Sequence, residues 1–146
     1  MMIQFGGDFA VRKPTDEVYK FLVDPERFCP LLPDFQSMTK QSDKDFSVTM
    51  RVGISHIRGN ATVKMSLAEE KPASHAVYNG KGDVPGGTVS VRAGFDLEPN
   101  GDGTKVLWKG EAQIAGRLPA LAGGLLEPLA KKNVQKLIDA LQAALS

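Results

Sequence analysis

Residues 57–65 read IRGNATVKM, and their two-residue alternation decides how the rest of the chain is read. Ile57, Gly59, Ala61, Val63 and Met65 fall on one side; Arg58, Asn60, Thr62 and Lys64 fall on the other. A period of two with one polar face is the pattern of a half-buried β-strand. The apolar face of this strand opens on Gly59 and Ala61, where bulk is the usual filling.

Other segments repeat the pattern. Ile3, Phe5, Gly7, Phe9 and Val11 alternate before Pro14. Phe46, Val48, Met50 and Val52 alternate next, with a turn expected over Gly53–His56 and the following strand ending at Leu67. Ala76, Tyr78 and Gly80, then Val89, Val91, Ala93, Phe95 and Leu97, and finally Val106, Trp108, Gly110, Ala112 and Ile114 complete the set. Pro99-Asn100-Gly101-Asp102-Gly103 is a hairpin loop by composition. Gly80–Gly86 has the glycines of a phosphate loop without its Lys-Ser/Thr ending, and reads as a strand-to-strand loop at a cavity mouth.

Helical signals bracket the strands. Pro14, Asp16 and Glu17 suit a helix start, with Val18, Phe21 and Leu22 as its apolar face. Asp24-Pro25 ends that helix, and a second short one holds Phe28, Cys29 and Leu32. From about Leu118 to Leu145 the period becomes helical; Gly123, Gly124 and Pro128 predict a kink or break near Glu127. The expected fold is α+β: about seven antiparallel strands in a curved sheet, two short N-terminal helices and a long C-terminal helix covering the apolar face.

Composition narrows the function. A chain of 146 residues, 42% hydrophobic and 24% charged, suits one globular domain over residues 1–146. A net charge of +1 argues against nucleic-acid binding. The single cysteine, Cys29, forms no intrachain disulfide and reads as a buried, inert thiol. No apolar run of roughly 18 residues predicts a membrane span, and the N-terminus lacks the pattern of an export signal. His56 and His75 lack zinc-ligand spacing, and both read as solvated or hydrogen-bonded at strand ends. Neither a metal site, a cofactor nor a catalytic set is expected.

The small inward residues allow two readings. They let a helix approach or a sheet bend, or they leave a cavity between sheet and helix. The cavity reading takes Leu32, Phe35, Met50, Val52, Gly59, Ala61, Val63, Met65, Tyr78, Phe95, Trp108, Leu125 and Leu129 as its lining. Tyr78 and Trp108 each join a large apolar surface to one polar atom, which suits orienting an apolar ligand with a polar end. Lys131, Lys132 and Lys136, with Arg117 ahead of them, form a basic helix face that is either simply solvated or turned toward an anionic surface.

Several motifs, in order, resemble the CoxG family of carbon monoxide dehydrogenase subunits, within the START-like, Bet v 1-like superfamily. They are Phe9-Ala10-Val11 leading to Pro14 and Val18, Asp24-Pro25 before Pro30 to Pro33, and Val52-Gly53-Ile54 with Gly59. Gly103-Thr104-Lys105-Val106 and Gly116-Arg117-Leu118 complete them. The chain departs from the family with Tyr19 where tryptophan is common and Pro33-Asp34 where Pro-Gly is common. The resemblance implies a helix-grip fold. It further implies a non-enzymatic module for a lipid- or quinone-like molecule and a molybdenum hydroxylase-type oxidoreductase as partner. Its expected setting is cytoplasmic, peripheral at the inner face of the cell membrane. A membrane-binding tail, present in some members, is not carried over. A cyclase or hydrolase using the same cavity, or a scaffold acting through its surface, remain the alternatives.

Overall fold

The computed structural model describes residues 1–54 and 56–146. The expected Gly53–His56 turn includes Ser55, which lies outside the described residues.

Seven strands form one sheet: β1 (Met2–Val11), β2 (Phe35–Lys40), β3 (Asp45–Ile54), β4 (Ile57–Lys71), β5 (His75–Val84), β6 (Gly87–Asn100) and β7 (Gly103–Gly116). Their order is β1-β7-β6-β5-β4-β3-β2, and every neighbouring pair is antiparallel. Strands β2 to β7 therefore run as a meander, with β1 added on the far side of β7. Between β1 and β2 lie α1 (Thr15–Leu22), α2 (Pro25–Phe28) and a 3-10 turn over Cys29–Leu31. The chain ends in α3 (Leu118–Ala122), a 3-10 turn over Gly123–Leu125, and α4 (Leu126–Ala144).

Local chemistry explains the helix boundaries. Pro14 caps α1 in an extended conformation, and Asp16 and Glu17 in the first turn against Lys20 in the last complement the helix dipole. The buried face of α1 is Val18, Tyr19 and Leu22, with Phe21 only half-buried. Asp24 caps α2 by accepting a 3.0 Å hydrogen bond from the Glu26 amide.

The strands run further than the alternation predicts. At Leu67–Glu69 the β4 register shifts, so Glu69 pairs with Val77 and projects outward, and pairing continues to Lys71. A bulge of this kind re-aims a side chain. The broken period there is what makes the strand look finished at Leu67. The Gly80–Gly86 segment is likewise strand as far as Val84, leaving a tight turn at Pro85-Gly86. Gly86 meets that turn's need for positive φ, at 80°.

The predicted helix break occurs at Gly123, whose φ is 59°. Pro128 is not the cause, because it lies in the first turn of α4. There its missing amide hydrogen forfeits no intrahelical bond. Helix α4 then crosses the sheet from Leu126 to Ala144, and the carbonyl of Leu145, which caps it, accepts from the Lys13 amide at 3.2 Å.

Candidate functional site

The interior has two apolar clusters. One joins Val18, Phe46, Phe95, Leu97 and Val106 to Leu141 and Leu145 at the far end of α4. The other joins Ile3, Ile54 and Ile114 to Leu118, Ala122 and Leu126 at its near end. A layer of helix on sheet normally buries its middle most deeply. Here the ends are the most buried, and a belt of half-buried residues lies between. On the helix the belt comprises Leu129, Ala130, Asn133, Val134, Leu137 and Ile138. On the sheet it follows two paired rows: Phe5, Gly110 and Ala93, then Ala112, Val91 and, beyond fully buried Gly80, Met65.

Small residues in this belt have two effects. At some, a large neighbour lies flat across the glycine: a Cβ on Gly80 would collide with Met65 Sδ, and one on Gly7 would come within 3.3 Å of the Trp108 ring. At Gly59 the Pro85 ring occupies the place, 3.1 Å from the Cβ position. At Gly110 the nearest atoms are 3.7 Å and 3.8 Å away, on Arg92 and Ala93 of the adjacent strand. At Gly80 and Gly7 large side chains thus lie along the wall, and at Gly110 no side chain other than Ala93 comes within 4 Å of the Cβ position.

Two polar groups face this belt. The Trp108 indole N–H and the Asn133 carboxamide make no hydrogen bond within the protein, and among the described residues no buried side-chain polar atom lacks a partner. Both groups therefore reach solvent. Asn133 shares a helix face with Leu126, Leu137 and Leu141, so it interrupts the inward stripe of α4 with an amide.

The other residues expected to line a cavity are distributed as follows. Val63, Phe95 and Tyr78 are buried in the first cluster, with Leu32, Phe35, Met50 and Met65 packed against it. Val52 and Leu129 pack against the second cluster, and Ala61 is buried between strands. Gly59 is exposed under Pro85, and Leu125 is 55% exposed and belongs to neither cluster. Tyr78 differs from Trp108 in one decisive respect. Its hydroxyl donates to the buried Leu22 carbonyl at 2.9 Å, and its ring packs on Phe28 and Phe46. It ties α1 to the sheet and has no polar atom to offer a ligand. Asn133 and Val91 were not among the expected lining residues. The only signal for Asn133 was a polar residue at an inward helical position.

Ionisable groups gather on the outer face of the sheet. Both His75 ring nitrogens meet carboxylates, Nδ1 at 2.8 Å from Asp96 and Nε2 at 3.1 Å from Glu69. Arg92 donates to Glu69 at 2.7 Å and to Asn79 at 3.1 Å. Hydrogen bonding to Glu69, then to Asp96, raises the His75 pKa, while His75 and then Arg92 lower that of Glu69. Glu69, His75 and Arg92 edge an open recess of about 500 Å³ over Val77 and Gly94, which Lys109 and Glu111 also line. Burial, reinforced by Asp24, pushes the Cys29 thiol up to about 12, which makes it a poor nucleophile. Among the described residues no group of His, Cys, Asp and Glu could hold a metal, and no helix is long and apolar enough to cross a membrane.

Solved structures share this architecture. A conserved protein from Geobacillus kaustophilus matches with a TM-score of 0.85 at 19% identity, covering 98% of this chain and 95% of its own. The Zhui aromatase/cyclase from a Streptomyces species matches at 0.71 and 16% identity, covering 99% and 93%. One domain of the StfQ di-domain aromatase/cyclase of steffimycin biosynthesis matches at 0.67 and 14% identity, covering 98% of this chain and 50% of that one. Such identities establish the fold alone, a curved antiparallel sheet with a long C-terminal helix across it. No curated protein sequence matches. A family model, however, matches residues 7–146, and on that match the chain belongs to the CoxG family of carbon monoxide dehydrogenase subunits.

Proposed function

We propose that the protein is a non-enzymatic binding module that holds an apolar small molecule, lipid- or quinone-like, between the sheet and α4. The observation that carries this reading is the half-buried belt separating two well-buried clusters, with the Trp108 N–H and the Asn133 amide unengaged on its walls. Apolar walls with a few placed polar groups are the usual make-up of a small-molecule site. Trp108 would donate to an acceptor such as a carbonyl, and Asn133 could donate or accept. Family membership supports a role within the carbon monoxide dehydrogenase system, with a molybdenum hydroxylase-type oxidoreductase as the partner served and the membrane face as the place of exchange.

An enzyme of the cyclase or hydrolase kind would need a general acid or base at the reacting atoms. The belt residues named above carry no ionisable side chain, which favours binding over catalysis. Native mass spectrometry of freshly purified protein tests the reading. An apolar adduct of constant mass, lost on mild activation, is the expected result; bare protein that also takes up no added quinone would refute it.

A further inference from the structure

The sheet is open, with β1 and β2 as its edge strands. Edges present unpaired amides and carbonyls, and folds normally guard them. Strand β2 is guarded: it runs for only 6 residues, bulges between Phe35 and Ser37, and ends on exposed Lys40. Strand β1 runs for 10 residues with no lysine, proline or bulge.

Its register shows which backbone groups are unpaired. Met1 and Ile114 exchange backbone hydrogen bonds at 2.9 Å and 2.8 Å. The pairing continues without a shift to Val11, so Ile3, Phe5, Gly7 and Phe9 bond to β7 in the same way. The backbone groups of Met2, Gln4, Gly6, Asp8 and Ala10 therefore point away from β7. Gln142 donates to the Ala10 carbonyl at 3.3 Å; among the described residues nothing else bonds to the backbone of this row.

This edge is complementary to a second copy of itself. Set antiparallel about Gly6, Gln4 meets the partner's Asp8 on the outer face, an amide against a carboxylate, and exposed Met2 meets Ala10. On the inner face Phe5 lies across from the partner's Gly7, which has no side chain of its own. Moving the centre by one residue sets Met2 against Asp8, or Gln4 against Ala10, and loses the match.

We propose that the protein pairs with a second copy through antiparallel contact of the two β1 edges about Gly6, joining two seven-stranded sheets into one. A regular, unguarded edge is a template for another strand, and the side-chain match selects this chain as its own partner. The pairing needs no guest and is independent of the binding reading.

Sedimentation equilibrium of the full chain over a range of concentrations tests it, with circular dichroism to verify folding. Wild type should form a dimer that dissociates on dilution. Gly6→Pro should weaken the dimer about hundredfold, because it removes the amide at the axis. The fold should survive, since that amide makes no bond to β7 and an edge strand accepts proline with its nitrogen toward solvent. Gln4→Glu should weaken the dimer about fivefold by setting carboxylate against carboxylate, and Gln4→Lys should tighten it by about as much. A wild type that stays monomeric at every concentration would overturn the proposal, as would a dimer that folded Gly6→Pro leaves unchanged. Should Gly6→Pro fail to fold, the charge variants decide alone: a dimer indifferent to both Gln4 substitutions places the contact elsewhere and defeats the pairing.

Discussion

Asp34 shows how one residue's conformation carries a measurable cost. It takes φ 56°, the left-handed region that glycine occupies freely. Aspartate tolerates this region better than most residues but still at a cost. Asp34→Gly should therefore raise stability by about 1 kcal/mol in urea denaturation. His75 gives a pH signature. Its folded-state pKa lies above the free value of 6.5, so its ionic contribution is complete below that value and is lost as pH rises through the folded pKa. Denaturation midpoints compared at about pH 6 and about pH 9 should show wild-type stability falling with pH, and His75→Gln should flatten the fall. Within the belt, truncating a wall residue should cost less than truncating a core residue. Phe46→Ala should cost about 3–5 kcal/mol, and Trp108→Ala distinctly less, because Trp108 already lacks neighbours on one side. Asn133→Leu should stabilise the fold by removing an amide from an apolar face, yet weaken ligand binding; weakened folding would show the amide to be structural. Trp108 was legible in the sequence because aromatics on alternating strands stand out. Asn133 was not, since an inward helical face is found by its apolar members.

At the scale of elements, six of the seven strands were legible from their alternation; the short edge strand β2 (Phe35–Lys40) shows no such alternation, and the misjudged lengths elsewhere have a common cause. The Leu67–Glu69 bulge changes the phase of β4 without ending it, so a strict two-residue period stops four residues before the ladder does. The Gly80–Gly86 segment looks like a loop by composition, yet its glycines sit where neighbours come close. A Cβ on Gly82 would strike the Thr62 carbonyl, and one on Gly80 would strike Met65. Glycine there records crowding, not a turn. The break before α4 was legible as a location and misread as to cause. Gly123 supplies the conformation, and nothing lies within 4 Å of where its Cβ would be. Gly123→Ala should thus cost only backbone strain, about 1–2 kcal/mol in thermal or urea denaturation. Pro128→Ala should be nearly silent in the same measurement, because position three of a helix has no amide bond to restore.

Across the whole molecule, the fold follows from the sequence's periodicities, but the division of its interior into two clusters does not. Depth along a strand depends on where α4 crosses the sheet, and alternation gives only the face. Small inward residues accordingly looked like one feature. They prove to be two: glycines covered by Met65, Trp108 or Pro85, and the uncovered Gly110 with its half-buried neighbours Ala112 and Ala93. On the reading proposed here, a guest lies over Gly110, bounded by Trp108 on the sheet and Asn133 on the helix. The chain contains a single tryptophan, so its intrinsic fluorescence reports on this place and no other. The most direct measurement is a titration of that fluorescence with a short-chain quinone, in wild type and in Asn133→Leu. Saturable quenching at one molecule per chain, weakened in the variant while both proteins stay folded, is the predicted result. Quenching that rises linearly without saturation, equal in both proteins, would contradict the cleft and leave the two clusters as parts of one closed core.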